Sequence, residues 1–302
     1  AVVDDFSTGK KVNLAGVEPL VELFEGSILD RDLLAAAMRG ADYVLHQAAI
    51  PSVPRSVADP WTSNRANIEG TLNVFVAAKD AGVRRVVFAS SSSIYGNVEV
   101  MPVSESLPRA PISPYGVTKA SDELYGEVFS GLYGMDVVAL RYFNAAGDDP
   151  DGEVGEDHSP ETHLIPCAVQ AALGERECLE VFGTDYPTPD GTAVRDYTHV
   201  CDLAKAHVLA LEYLRNGGES TAMNLGTGTG YSVMQVVEAV NKASGQQVPV
   251  RLQPRRAGDP AQLVADASRA YGILGWKPEF NTLDRIVETA VAWHRRMAAS
   301  HA

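Results

Sequence analysis

The segment SPYGVTK places a tyrosine and a lysine, Tyr115 and Lys119, four positions apart. Ser113 suits a helix N-cap and Pro114 the first helical position, so we predict that a helix begins here. Residues four apart lie on one face of a helix. Because a lysine ammonium beside a phenol favours the phenolate, Tyr115 is a candidate general base with Lys119 as its activating partner.

A run of four serines, Ser90 to Ser93, follows the apolar stretch VVFA upstream of this helix. The pattern predicts a buried strand that ends in hydroxyl groups. Doubly wound sheets bind their ligands at the carboxyl ends of their strands, so these hydroxyls could reach a bound molecule. A solvated turn is the alternative, because serine is common in turns.

Short β-type runs alternate with helical stretches through the first half of the chain, which is typical of a parallel sheet with helices on both faces. The predicted strands are Ala1–Asp4, Asp42–His46, Arg85–Ala89 and Asp136–Arg141, and the predicted helices lie near Asp30–Arg39, Thr62–Ala81 and Tyr115–Tyr133. We therefore predict an α/β fold with a doubly wound, Rossmann-type sheet over residues 1–147.

From Asp148 onward, long loops rich in Pro, Gly and Asp interrupt shorter helices. Loops of this length in a compact chain are usually functional. A strand-like MNLGTG and a predicted helix at Val233–Ser244 lie among them. We predict a smaller substrate-binding lobe formed mainly by residues 148–302 and interleaved with the end of the first sheet.

Composition excludes several classes of protein. The 25 Lys and Arg residues against 39 Asp and Glu give a net charge of −14, which argues against nucleic acid or an anionic membrane as partner. No apolar run approaches the ~20 residues of a membrane span. The cysteines contain no C-x-x-C pair and indicate reduced thiols in a cytoplasmic protein. His158 and His163 are five apart in a Pro-containing loop, a poor metal spacing, so we expect no metal site.

Longer motifs carry a resemblance to a known family. FASSSSIYG, SPYGVTK and LRYFNAAG resemble the extended short-chain dehydrogenases, whose catalytic trio is Ser/Thr, Tyr and Lys. YFNAAGDDPDGEVGEDHSPETHLIP, FGTDYPTPDGTAVRDYTHVCDLA and NLGTGTGYSV are similar to the UDP-glucose 4-epimerases, and this similarity runs over essentially the whole chain. HQAAIPSVPRSVADPWTSNRANIEGTLNV is closer to the branch that includes UDP-N-acetylglucosamine and uronate epimerases.

The resemblance implies a catalytic trio of Ser91, Tyr115 and Lys119, with Ser92 as the alternative serine. It also implies NAD as cofactor and Asp4 as the end of a strand beside the adenosine ribose. An acidic side chain there can hydrogen-bond the ribose hydroxyls and repels a 2′-phosphate, although Asp4 and Asp5 could instead form a simple turn. The positions implied to line the cofactor are Asp4, Asp5, Ile28, Ala48, Ala49, Asn67, Tyr115, Lys119 and Tyr142. Ser27 departs from an acidic residue common in the family, which weakens the adenine contact expected there.

The resemblance further implies a UDP-sugar site. Its expected residues are Ser91, Asn144, His163, Leu164, Phe182, Arg195, Arg256, Asp259 and Leu263. Each arginine offers a fork of donors that suits phosphate oxygens, although either one alone would be a common surface cation. Leu263 takes the position on the N-acetyl side of the sugar, where a bulky residue blocks N-acetyl sugars. We therefore expect a preference for UDP-glucose and UDP-galactose.

One expected feature of a dinucleotide-binding fold is not found in the sequence. Such folds begin with a strand and a glycine-rich turn, and the acidic residue corresponding to Asp4 lies ~20 residues beyond that turn. We therefore expect roughly 25–30 residues to precede Ala1, and these 302 residues alone to hold NAD poorly. The apolar stripe on the helix that carries Tyr115 is either core packing or partly the interface of a homodimer.

The expected activity is NAD-dependent epimerisation at C4 of a UDP-hexose through a 4-keto intermediate, with a UDP-N-acetylglucosamine or UDP-uronate 4-epimerase as the alternative. A 4,6-dehydratase is disfavoured because SSSSIYG contains no carboxylate. A non-catalytic dinucleotide sensor on the same fold is disfavoured because such proteins typically lose the Tyr/Lys pair.

Overall fold

The computed structural model of the protein describes residues 1–256 and 259–300. In this range the strands are β1 (Val2–Asp4), β2 (Leu23–Glu25), β3 (Tyr43–His46), β4 (Arg85–Ser91), β5 (Asp136–Tyr142), β6 (Asn144–Ala146), β7 (Leu179–Phe182), β8 (Val194–His199), β9 (Thr221–Leu225), β10 (Gly230–Ser232), β11 (Val250–Gln253) and β12 (Gln262–Leu263). The α-helices are α1 (Arg31–Ala37), α2 (Val53–Ala58), α3 (Pro60–Asn64), α4 (Gly70–Asp80), α5 (Pro114–Tyr133), α6 (Leu164–Ala172), α7 (Val200–Arg215), α8 (Val233–Ser244), α9 (Ser268–Leu274) and α10 (Leu283–Ser300).

The first half of the chain forms parallel sheets, as predicted. β3, β4, β5 and β9 are hydrogen-bonded in that order and all run parallel. β1 pairs in parallel with β2 in a separate two-stranded sheet, with Val2 opposite Leu23. Within the described residues no ladder joins β1 to β3. β9 comes from the second half of the chain and completes the four-stranded sheet, while the predicted domain boundary at residue 147 stays a prediction.

Helices cover both faces of the four-stranded sheet. On one face a buried cluster includes Phe75 of α4 and Phe129 of α5, whose rings are 5.2 Å apart, together with Phe88 of β4. On the other face Leu214 of α7 and the fully buried Trp276 pack with apolar side chains of β5 and β9. Burial of this apolar surface on both faces stabilises the sheet and confirms the predicted doubly wound architecture. No helix in the described residues is long and apolar enough to cross a membrane.

The predicted helix Thr62–Ala81 is interrupted in the structure. α3 continues into a π-helical turn over Arg65–Glu69, and α4 follows directly from Gly70. The π-turn contains Asn67, whose side chain is fully buried and bonded to groups outside the helix. Turns of this kind often occur at functional sites. The spacing of apolar residues does not reveal this one, because the chain is α-helical both before and after it.

In the second half of the chain, β8 is the central strand of a sheet. β10 pairs antiparallel with β8, whereas β12 and β6 pair with it in parallel. A separate parallel pair is formed by β7 and β11. α6, α8 and α10 enclose a core that includes Ile165, Val240 and Ile286. Residues that lie far apart in the sequence therefore meet on β8 and its neighbours.

Candidate active site

The helix that carries Tyr115 begins where the sequence predicts. The Ser113 hydroxyl accepts a hydrogen bond from the backbone N–H of Gly116 at 3.1 Å, and Pro114 is the first residue of α5. The helix ends at Gly134, whose φ of 63° lies in the left-handed region that glycine adopts without strain. Tyr115 and Lys119 are both buried and lie on the face of α5 that packs against β4.

Hydrogen bonds to neighbouring elements fix both residues. The backbone N–H of Tyr115 donates to Ser56 Oγ at 3.0 Å, and Lys119 Nζ donates to the Ala89 carbonyl at 2.9 Å. No group in the described part of the chain hydrogen-bonds the Tyr115 hydroxyl. The residue is 9% exposed. The arrangement suits proton transfer at the Tyr115 oxygen beside a fixed ammonium.

The serine run forms a turn directly against the start of α5. Ser91 is the last residue of β4, and its Oγ accepts hydrogen bonds from Ser93 N at 3.2 Å and from Ser93 Oγ at 2.9 Å. A Cβ added to Gly116 would lie 2.6 Å from the Ser93 carbonyl oxygen, so α5 and the turn are in close contact. Ser92 is buried, whereas Ser91 is half-buried. The structure thus favours Ser91 over Ser92, and its catalytic role stays a prediction.

Two acidic residues beneath Lys119 were not singled out from the sequence. Asp122 Oδ2 lies 3.5 Å from Lys119 Nζ, and both side chains are buried. Burial raises the pKa of Asp122 to about 6, against the opposing effect of the Lys119 charge. Glu123 forms a two-point ion pair with Arg141 of β5, through Nε at 2.9 Å and Nη2 at 2.7 Å. Asp122 and Glu123 follow Lys119 by three and four positions, so they lie on the same face of the helix as Lys119. This spacing is the sequence feature that could have identified them.

Asp4 and Asp5 are exposed at the end of β1. Asp4 Oδ1 accepts a hydrogen bond from Phe6 N at 2.7 Å, and Asp5 Oδ1 accepts one from Ser7 N at 2.9 Å. Both carboxylates therefore accept hydrogen bonds within the turn that follows β1. This agrees with the alternative interpretation, in which Asp4 and Asp5 form a simple turn. The Asp4 side chain nevertheless lies at the carboxyl end of a parallel strand, where a ribose contact is expected.

Asn67 joins the loop after β3 to the catalytic helix. Its Oδ1 accepts a hydrogen bond from Ile50 N at 2.8 Å, and its Nδ2 donates to Ile50 O at 3.3 Å and to Thr118 Oγ1 at 3.0 Å. Ala48 and Ala49 precede Ile50 in the same loop. Asn67 therefore positions the expected cofactor-lining loop through contacts within the protein.

Replacing Asn67 with Ala should destabilise the protein and weaken cofactor retention. The change removes three hydrogen bonds and leaves the Ile50 N–H and C=O without partners, which costs about 1–3 kcal/mol per unsatisfied group when buried. Urea unfolding and titration of added NAD into each purified variant measure the two effects. Asn64→Ala, one turn earlier and exposed, is the matched control and should behave as wild type. Equal NAD retention in both variants would remove Asn67 from the positioning of the loop.

Ile28 and Tyr142 lie on either side of this region. Ile28 packs so closely on Gly70 of α4 that a Cβ there would lie 2.5 Å from its Cδ1. Tyr142 ends β5 opposite Ser91, and its hydroxyl donates to Gln47 Oε1 at 3.1 Å. Burial raises the pKa of Tyr142, so the phenol stays protonated. The expected contact of both residues with NAD stays a prediction.

β8 and its neighbours bring together four of the predicted substrate residues. Arg195 lies opposite Leu263 of β12, and its guanidinium bonds Asp259 Oδ1 at 3.1 Å. Asn144 of β6 lies opposite Tyr197 two residues further along β8. Tyr231 of β10 also lies opposite Arg195, and nothing in the sequence motifs had singled it out. Arg195 was expected to supply positive charge to a bound phosphate. Because Arg195 pairs with Asp259, part of that charge is already neutralised by a carboxylate of the chain.

Arg256 and Phe182 form a second group. The Arg256 guanidinium lies 3.8 Å from the centroid of the Phe182 ring, close enough for a cation–π interaction. Stacking holds the guanidinium plane in one orientation and leaves its N–H groups at the edge. Such an edge can bind phosphate oxygens or an aromatic base.

His163 and Leu164 begin α6, with His163 at the N-cap position. The imidazole of His163 faces two carboxylates and a second histidine. Together these residues, which we name the His–Glu cluster, are Glu156, His158, Glu161 and His163. Hydrogen bonding to Glu156 raises the pKa of His158 to about 9 and that of His163 to about 10. The structure therefore directs one nitrogen of His163 into this cluster, and its expected substrate contact stays a prediction.

A sequence profile of the NAD dependent epimerase/dehydratase family matches residues 1–226. The chain belongs to this family. It is 44% identical to the UDP-glucose 4-epimerase of Streptococcus mutans, over 97% of this chain and 88% of that protein. It is 45% identical to the UDP-glucose 4-epimerase of Azospirillum brasilense, over 99% of this chain and 85% of that protein.

Solved structures agree with the sequence relatives. The UDP-glucose 4-epimerase of Brucella ovis in complex with NAD superposes with a TM-score of 0.92 at 44% identity, covering 96% of this chain and 89% of that one. The enzyme of Bifidobacterium longum in complex with NAD⁺ and UDP gives a TM-score of 0.91 at 36% identity, with coverage of 97% and 90%. The predicted resemblance, the Rossmann-type fold and NAD as the family's cofactor are confirmed.

Proposed function

We propose that this chain interconverts UDP-glucose and UDP-galactose by NAD-dependent epimerisation at C4. The observation that carries the proposal is the contact between the Tyr115–Lys119 face of α5 and the serine turn at the carboxyl end of β4. Relatives 44–45% identical over nearly the whole chain are named UDP-glucose 4-epimerases, which supports the same reaction. NAD, when bound, accepts the C4 hydride and returns it.

The residues of the chain supply the proton chemistry. Tyr115, as phenolate, removes the proton from the sugar 4-hydroxyl and later returns it to the 4-keto intermediate. The Lys119 ammonium, fixed by the Ala89 carbonyl, stabilises the phenolate by its charge. Ser91 orients the sugar hydroxyl through its Oγ. Asp4, the small Ala48–Ala49 loop and Lys119 fit a dinucleotide, with Asp4 beside the adenosine ribose.

The UDP group is proposed to bind in the second lobe. Arg195 and Arg256 would donate to the pyrophosphate, with Asp259 and Phe182 holding the two guanidinium groups in place. Asn144, His163 and Leu164 would complete the nucleotide contacts. Firm nucleotide binding would let the 4-keto sugar rotate and present its other face while the UDP stays anchored.

Leu263 is proposed to select between plain and N-acetylated sugars. We expect kcat/KM for UDP-N-acetylglucosamine to lie at least about tenfold below that for UDP-galactose, because one badly fitting group in a pocket costs about 1–3 kcal/mol. Leu263→Ala should raise kcat/KM for UDP-N-acetylglucosamine, relative to kcat/KM for UDP-galactose, by about tenfold or more. Gln262→Ala is the control, since adjacent strand residues point to opposite faces.

The same assays test the activity itself. Wild-type protein supplied with NAD should convert UDP-galactose to UDP-glucose, as measured by chromatography of the nucleotide sugars. No conversion of any UDP-hexose, N-acetyl-hexose or uronate would refute the proposed activity. Conversion of the N-acetyl sugar with a kcat/KM similar to that of UDP-galactose would favour the alternative epimerase and refute the role of Leu263.

We also propose a homodimer built on the outer face of α5. Val117, Leu124 and Val128 are exposed along this face, spaced at helical intervals, and Leu132 continues it. A second copy would bury these side chains, which otherwise form an apolar patch in water. Sedimentation equilibrium measures the oligomeric state.

A further inference from the structure

The His–Glu cluster lies in the loop before α6, and its side chains converge on one point. Each of the four residues offers one ligand atom, and these atoms all lie within 4.8 Å of one another. His158 Nδ1 is 3.2 Å from Glu156 Oε1 and 3.4 Å from Glu161 Oε2. His163 Nδ1 is 2.5 Å from Glu156 Oε1 and 3.3 Å from Glu161 Oε1.

These separations match a four-coordinate metal site. Zinc binds imidazole nitrogen at about 2.0–2.1 Å and carboxylate oxygen at about 2.0–2.2 Å, which gives edges of about 3.3 Å in a tetrahedron of ligands. Two separations are close to this edge length, from His158 Nδ1 to Glu156 Oε1 at 3.2 Å and from His158 Nδ1 to Glu161 Oε2 at 3.4 Å. Metal binding would release the protons of the two imidazoles, and the two carboxylates would then give the ligand set a charge of −2, which a divalent ion neutralises.

Glu161 supplies an independent indication. Its side chain is only 3% exposed, although a carboxylate is rarely buried so deeply without a strong charge partner. Oε1 accepts hydrogen bonds from the backbone N–H groups of Thr162 at 2.6 Å and His163 at 2.7 Å. Within the described residues, the only hydrogen-bond donor to Oε2 is the ring of exposed His158, at 3.4 Å. This oxygen is therefore buried and faces the ring of His158 within the cluster.

The backbone on both sides of the cluster is fixed by other elements. The carbonyl of Glu161 accepts hydrogen bonds from Arg176 Nη2 at 3.0 Å and from Cys167 Sγ at 3.6 Å. The carbonyl of Glu156 accepts one from Trp293 Nε1 of α10 at 3.2 Å. A specific metal site requires ligands whose backbone is held in place by other parts of the protein. The backbone of Glu156 and Glu161 meets this requirement.

We propose that the His–Glu cluster is a structural site for one divalent transition-metal ion, with zinc the best match to two imidazole and two carboxylate ligands. Bound metal would tie the segment from Glu156 to His163 to the start of α6. The prediction from sequence that no metal binds here considered only the spacing of the two histidines. It omitted the two glutamates, which the fold brings to the same point. The site does not depend on the proposed epimerase activity.

The test uses full-length protein purified without a metal-affinity tag and stripped of metal with a chelator. Titration with Zn²⁺ against a chromophoric competitor should show one saturable site per chain, and Co²⁺ should give the visible absorption bands of tetrahedral coordination. His158→Ala and Glu161→Gln should each weaken Zn²⁺ binding by at least about 100-fold, because loss of an outer-shell partner alone costs about 10–100-fold. Glu153→Gln, an exposed carboxylate in the same loop, is the matched control and should bind as wild type.

Two outcomes would overturn the proposal. One is wild-type protein with no saturable Zn²⁺ site and no tetrahedral Co²⁺ spectrum, which would leave the cluster as a set of imidazolium–carboxylate ion pairs. The other is unchanged affinity in both ligand variants, with circular dichroism showing that they are folded. The wild-type titration decides the first outcome even if Glu161→Gln, the more buried variant, fails to fold.

Discussion

Tyr115→Phe is expected to reduce kcat for UDP-galactose by about 10²–10⁴-fold, the usual contribution of a positioned general acid–base group. The change removes the phenolic oxygen and keeps the ring. In the described residues no hydrogen bond depends on that oxygen, so the loss should fall on the chemical step and leave stability and NAD binding nearly unchanged. Turnover is measured on NAD-supplemented protein, and the free energy of unfolding is measured with urea.

Tyr133→Phe is the matched control for this experiment. Tyr133 ends the same helix and is exposed, 18 residues from Tyr115 along α5. The same atom is removed, and we expect wild-type turnover. If Tyr115→Phe keeps more than about a tenth of the wild-type kcat, another group carries the proton and the assignment of Tyr115 is wrong.

Glu123→Ala is expected to lower the free energy of unfolding by about 3–5 kcal/mol, the usual cost of breaking a buried ion pair by removal of one partner. The Glu123 side chain is 3% exposed and that of Arg141 is 7% exposed. Besides its two bonds from Arg141, Glu123 accepts one from Ser90 Oγ at 2.5 Å and one from Arg109 Nη1 at 3.4 Å. Removal of the carboxylate would leave the buried Arg141 guanidinium with the Tyr95 hydroxyl, 2.7 Å from Nη1, as its one remaining hydrogen-bond partner among the described residues.

Glu127→Ala on the same helix is the control for this loss of stability. Glu127 binds Arg109 with two hydrogen bonds, at 2.8 and 3.2 Å, but its side chain is 61% exposed. Exposed ion pairs contribute about 0–1 kcal/mol. Glu123→Ala should therefore lower the free energy of unfolding several-fold more than Glu127→Ala does. Similar midpoints of urea unfolding for both variants would show that the Glu123–Arg141 pair does not stabilise the sheet–helix interface.

The two predictions concern one face of one helix. Lys119 bonds to β4 and Glu123 bonds to β5, so α5 carries both the residues of the proposed chemistry and an ion pair that fixes the helix to the sheet. A variant that loosens the ion pair should also lower activity through displacement of Tyr115. Separate measurements of stability and kcat distinguish this indirect loss from loss of the reacting group.

The sequence predicted several elements of the fold, because their signals are local. Ser113 and Pro114 mark the start of α5, and alternation of apolar runs with helical stretches marks the parallel strands. α8 has the predicted bounds, Val233–Ser244, where a Ser232 capping box and Gly245 define its ends. Such signals act over a few residues and can be recognised without knowledge of the fold.

The partners of the site residues were decided by the tertiary structure alone. Asn67 bonds Thr118 across 51 positions, and Arg195 pairs with Asp259 across 64. The His–Glu cluster takes its shape from a loop held by α10 and by Arg176. The sequence thus determined which residue types and helices are present, including the Tyr115–Lys119 face. Which groups meet, and how deeply they are buried, depends on chain packing over long separations, and no local pattern of residues encodes those contacts.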